Sequence, residues 1–121
     1  MATLGNNVFD KGLSYLATNG TRLDICSSEP ATYAAVAGVS LGNKTGLSIG
    51  APGNRTGGGR KVTVAQITDG SVTATGTATH YAITNGSNEL LATGSLAAPQ
   101  AVTSGNTFTL ASFDIGIPAP A

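Results

Sequence analysis

The spacing of apolar residues along this chain changes once, and the change divides it into unequal parts. Near the N-terminus Phe9, Leu13, Leu16 and Ala17 recur at the 3.6-residue period of one helical face. Asn7 is placed to cap that helix and Asp10 lies in its first turn, where the helix dipole favours an acid. Asn19-Gly20 reads as a left-handed stop. A helix this short does not stand alone in water, so its stripe of Phe9, Leu13 and Leu16 must dock, either on its own sheet or on a neighbouring subunit.

Beyond Gly20 the period becomes two. Thr21 to Ser27 alternates, with Leu23 and Ile25 on one side and Arg22, Asp24 and Cys26 on the other, as in a strand. Ala31 to Ala37 suggests a single helical turn, and Val39–Leu41 and Leu47–Ile49 suggest two short strands around Gly42-Asn43-Lys44. Residues 50–60 have almost no apolar anchor and predict an exposed, flexible loop. Lys61 to Thr68, Asp69-Gly70 and the run from Ser71 read as a hairpin, because Asp-Gly supplies the positive φ angles of a type I′ turn. Val72 to Ile83 predicts a long strand bent at Gly76, followed by a turn at Asn85–Asn88 and a return strand Glu89 to Leu96 ended by Pro99. Gln100–Thr103, the turn Ser104-Gly105-Asn106 and Thr107–Ile117 predict a last hairpin. Within it Phe108 and Leu110 share one parity while Phe113, Ile115 and Ile117 take the other. That slip near Ala111-Ser112 predicts a bulge or a strand that passes from one sheet to another. Together these signals predict one mainly β domain, an antiparallel sandwich or jelly roll with one short N-terminal helix: a helical segment over 1–20, a β domain over 21–117 and a tail over 118–121.

Composition adds association and removes chemistry. The chain has 121 residues and only 10% charged side chains, against about 25% in ordinary soluble domains. Its formal net charge is zero, which offers little hold on nucleic acid or an anionic membrane and little repulsion between copies. No run approaches the length of a membrane span, and the first residues lack the basic and apolar regions of a signal peptide. The sequence thus predicts a protein made in a cytoplasm, without nucleic-acid or membrane partners.

No residue pattern calls for catalysis, a cofactor or a metal. His80 is the sole histidine and no G-x-S-x-G elbow accompanies it. One cysteine, one histidine and six scattered carboxylates show no ligand spacing. Gly57-Gly58-Gly59-Arg60-Lys61 lacks the spacing of a phosphate loop and precedes a strand rather than following one. Cys26 reads as a small buried hydrophobe or as half of an intersubunit disulfide. Tyr15, Tyr33 and Tyr81 fit an interface, Tyr81 equally a core. Arg55, Arg60 and Lys61 are half of the six basic residues and cluster together. They are either a solvated loop base or a positive patch for acidic groups on a partner.

Three stretches of the C-terminal half carry a resemblance. Gly76-Thr-Ala-Thr-His80-Tyr-Ala-Ile-Thr84, Leu90-Leu-Ala-Thr-Gly-Ser-Leu96 and Ala101-Val-Thr-Ser-Gly-Asn-Thr-Phe-Thr-Leu110 follow one another in a pattern similar to that of small tailed-bacteriophage virion proteins. The opening helix followed by Leu23-Asp-Ile-Cys-Ser-Ser-Glu-Pro30 resembles them as well. Such proteins are described as head decoration, cement or minor tail proteins. The resemblance implies a non-enzymatic capsid decoration (cement) protein on the capsid exterior. It would bridge major capsid protein subunits and form a homo-oligomer, dimer or trimer. Phe9, Leu13, Leu16, Arg55, Arg60 and Lys61 are then the candidate interface. The alternative is a minor tail or fibre-associated sandwich that binds a host-surface glycan, although the chain has no tryptophan for such a site.

Overall fold

A computed structural model describes residues 5–117. The tail expected over 118–121 lies outside the described residues, as do residues 1–4. The elements run α1 (Asn6–Asn19), β1 (Arg22–Cys26), α2 (Tyr33–Val39), β2 (Ser40–Thr45), β3 (Gly53–Asn54), β4 (Arg60–Val64), β5 (Ile67–Val72), β6 (Gly76–Thr84), β7 (Leu90–Val102), β8 (Thr107–Leu110) and β9 (Phe113–Ile117). Every strand pairing among them is antiparallel. The mainly β, antiparallel domain led by a short helix is therefore the observed architecture.

Six strands form one sheet in the order β7-β6-β1-β2-β5-β8, and three form a second in the order β3-β4-β9. β7 and β8 lie at opposite edges of the larger sheet, yet only Thr103–Asn106 separate them in the chain. The sheet must therefore curl until its two edges approach each other. The turn is the one expected, with Gly105 at φ +92°, but it joins two sheet edges rather than two paired strands. Beyond β8 the chain crosses at Ala111-Ser112 into the smaller sheet, where β9 pairs with β4 from Arg60↔Ile117 to Val64↔Phe113. The parity slip in the sequence marks this crossing.

The core lies inside the curl. Leu23, Ile25, Val62, Val64, Ile83 and Phe108 meet there, joined by Leu13 and Leu16 from α1. β1 runs through the middle of the sheet and is buried from Leu23 to Cys26 on both faces. Its alternation holds, but the second face is covered too: α2 lays Val36 over Cys26 and Ala82. α2 is a true second helix where the sequence suggested one turn, capped by Thr32, whose Oγ1 accepts the Ala35 N–H at 3.2 Å. Asp24, 1% exposed, is satisfied under that cover. Arg22 donates to it twice, at 2.9 and 3.1 Å, and the Ser40 hydroxyl donates at 2.7 Å.

Several local expectations are corrected. α1 starts after Gly5 with no side-chain cap, and Gly20 closes it at φ −77° with its N–H on the Leu16 carbonyl at 2.7 Å, not in a left-handed turn. Gly42-Asn43-Lys44 is the middle of β2, and Ile49 forms only an isolated bridge to Val64. Asp69-Gly70 is not a hairpin turn but part of β5, at an irregularity in its ladder with β8. Gly70 has no positive φ; it is glycine because the Phe108 ring lies where a Cβ would stand. Pro99 does not end β7 but sits in a bulge, since the ladder with β6 jumps from His80↔Ser95 to Ala78↔Gln100, and a bulge does not need the missing N–H.

The flexible loop predicted over 50–60 is instead a short hairpin. Gly53 and Asn54 pair with Lys61 and Arg60. Its tip is shaped by Gly57, Gly58 and Gly59 at φ +90°, +104° and +89°, values that side chains rarely tolerate. The Arg55 guanidinium braces the tip from within, donating to the Gly58 carbonyl at 3.0 Å.

Candidate interaction surface

Of the six residues expected at an interface, the structure buries three in the core of the chain and gives the other three partners within it. Phe9, Leu13 and Leu16 are 3%, 2% and 7% exposed, so the helical stripe is spent inside its own subunit. Arg60 donates to both carboxylate oxygens of Asp10, at 2.8 and 3.2 Å, and to Asn54 at 2.6 Å, tying α1 to the hairpin. Lys61 pairs with Asp114 at 2.8 Å, and Arg55 is turned onto its own loop. The basic cluster is thus neutralised or internally bonded. A charge already held by an intramolecular partner gives a second protein little to gain.

The other chemistry-bearing side chains are occupied in the same way. His80 is half-buried with its Nδ1 2.9 Å from the Thr79 hydroxyl, which in turn reaches the Ser27 carbonyl at 2.9 Å. Among the described residues no three His, Cys, Asp or Glu side chains converge as metal ligands. Cys26 is fully buried and its thiol is pushed up to about 12, chiefly by burial and secondarily by the nearby Asp24 charge. Such a thiol is a core hydrophobe, not a nucleophile. Asp69 and Asp114 are held below the ordinary carboxylate range, Asp69 chiefly by its hydrogen bond from Lys44 and Asp114 by hydrogen bonds from Lys61 and Thr63.

A recess lies at the seam where the curled sheet brings its edges together. Its volume is about 450 Å³. One wall is the β7 bulge, Ser95 to Ala98 and Gln100; the other is the corner from Thr109 to Asp114, where β8 gives way to β9. Tyr81 and Phe113 line the cleft together, ring centroids 4.6 Å apart and tilted by 48°. That contact is an aromatic pair in the favoured range. Burial raises the Tyr81 hydroxyl above its ordinary pKa.

Gln100 spans the seam at one end of the cleft. Its Nε2 donates to the Thr109 carbonyl at 3.3 Å, taking the place of a ladder bond between edges that are not paired with each other. Its Oε1 is buried without a hydrogen-bond partner among the described residues. Sequence reasoning did not collect these residues into a site. Pro99 and the parity slip at Ala111-Ser112 are the sequence signals nearest to it, and nothing local says that they face each other.

On the outer side of α1, Val8 and Tyr15 are the large hydrophobic residues left exposed among the described residues, at 58% and 52%. Tyr15 donates to Glu89 at 2.6 Å, which raises its pKa. No helix among the described residues is long and apolar enough to cross a membrane. Compared with known proteins, the chain matches no protein-family model, no curated protein and no solved structure.

Proposed function

We propose that this chain is a capsid decoration (cement) protein of a tailed-phage virion, bridging neighbouring major capsid protein subunits on the head exterior, with copies associating as a homo-oligomer. The observation that carries the reading is where the unsatisfied groups lie. The core closes within one subunit and the ion pairs are internal, while the outer edges of β7 and β8 have no strand partner among the described residues. Open edges are an aggregation hazard unless a partner covers them, so a fold that keeps them suits a protein that works by chain-to-chain contact. The three stretches similar to phage virion proteins fall on β6, on the first half of β7, and on the end of β7 through β8, so they include both edge strands of the larger sheet. No catalytic role is assigned to any residue in this reading.

The test is a count of copies on purified particles, by quantitative mass spectrometry and by imaging of the intact virion. Cement predicts on the order of hundreds of copies over the head lattice, and particles lacking the protein that burst more readily on heating or on chelation. A handful of copies at the tail refutes it. That result would favour the glycan-binding alternative, which has one observation on its side: aromatic rings in a cleft beside Gln100 and Ser112.

A further inference from the structure

We infer that the cleft between β7 and the β8–β9 corner receives an uncharged, extended segment of another protein chain, which inserts as a strand between the two open edges. The inference rests on the coat-surface reading for the source of that segment, and on the cleft alone for its chemistry. Two features of the cleft, its flanking edges and its lack of free charge, point to the occupant. The cleft is flanked on both sides by backbone edges: among the described residues β7 is paired only through β6 and β8 only through β5. An extended chain is the ligand that supplies donors and acceptors along both edges at once. Gln100 closes one end of the slot through its Nε2 bond to the Thr109 carbonyl, so the open stretch of the corner lies beyond it, toward Ala111 and Ser112.

Charge decides between kinds of segment. Asp114 is the only ionisable carboxylate or base lining the cleft, and Lys61 and Thr63 already hold it. A charged guest side chain would be desolvated against Leu96, Ala97, Leu110 and Phe113 with no free counter-charge. An uncharged segment with alternate small apolar side chains pointing at Tyr81 and Phe113 fits instead. The corner Thr109–Ser112 spans about 13 Å of extended chain, with the Thr109 carbonyl already taken by Gln100. A glycan could stack on the same rings, but it would leave the flanking backbone edges unused.

The experiment uses the full chain and a library of capped octapeptides that alternate apolar and hydroxyl side chains, with a matched library carrying Lys or Glu. Nuclear magnetic resonance is expected to show uncharged members shifting the Thr109 and Ala111 amides and the Gln100 side-chain amide, and slowing exchange at those backbone sites. Two substitutions at exposed positions should each weaken binding by about tenfold or more: Ala98→Lys places a charge on the β7 edge and Ala111→Pro removes an edge N–H. A thermal melt checks that each variant is folded, and the exchange measurement on the unmodified protein stands if one is not. The inference is overturned if no library member binds below millimolar concentration. It is overturned equally if charged members bind as well, or if folded variants bind unchanged. Self-association that Ala98→Lys abolishes would assign the slot to a second copy and overturn the foreign chain; binding of arrayed glycans but no peptide would do the same. Copy number on particles is independent of all these results, so a tail location would remove the cement role without touching the slot.

Discussion

Replacing Gly70 with alanine separates two explanations of the same glycine. If Asp69-Gly70 were a type I′ turn, alanine would be strained by its backbone alone, at a cost of about 1–2 kcal/mol, and no other side chain could relieve it. In the structure Gly70 has no positive φ, and an added Cβ would collide with the Phe108 ring, which is 2% exposed and part of the core. Overpacking of that kind costs about 1–3 kcal/mol, or about 4–12 °C in melting temperature for a domain of this size. The discriminating measurement is the double variant with Phe108→Leu, whose smaller side chain leaves room for the methyl group. Phe108→Leu alone removes buried surface and destabilises. Combined with Gly70→Ala it should destabilise less than the two changes added, with a coupling of about 0.5–3 kcal/mol. Urea unfolding followed by circular dichroism on the four proteins gives that number. A Gly70→Ala variant as stable as the parent, or a double variant whose losses simply add, would falsify the packing argument.

The remaining predictions use the same assays. Leu13→Asp should leave the subunit unfolded rather than merely detached from a partner, because Leu13 is 2% exposed within its own core; a folded monomer would contradict this. Arg60→Ala removes the forked contact to Asp10 and should lower stability by about 1 kcal/mol, with hydrogen exchange rising first in α1. Asp69 and Asp114 have folded pKa values below their unfolded ones, so the unfolded state binds protons first as acid is added. Their contribution is present above the unfolded carboxylate value of about 3.9 and is lost as pH falls through the folded values. Stability should therefore fall below about pH 4, less so in Asp114→Asn, and no acid-side change in that variant's profile would count against the pairing. Cys26 should react with a thiol reagent only at the rate of unfolding, given its burial and a pKa pushed up to about 12; fast modification of the native protein would show the thiol to be accessible.

What the sequence determined by itself was local. The 3.6-residue stripe of α1, the alternation of Leu23 and Ile25, the turns at Asn85–Asn88 and Ser104–Asn106, and the parity slip before Phe113 are written in neighbouring residues, and a mainly β domain with a short leading helix follows from them. The slip was legible because a strand that changes sheets must change the face it buries. What only the tertiary structure decided is who meets whom. Gly70 looks like a turn residue until Phe108, far away in the chain, is laid over it by the β5–β8 pairing. Arg60 looks like a free surface charge until the hairpin brings it to Asp10. The same holds for the cleft: Gln100, Tyr81 and Phe113 have no common signal along the chain. They face one another because the six-stranded sheet curls far enough for its first and last strands to be joined by a short turn, and that curl is a property of the whole sheet rather than of any one strand.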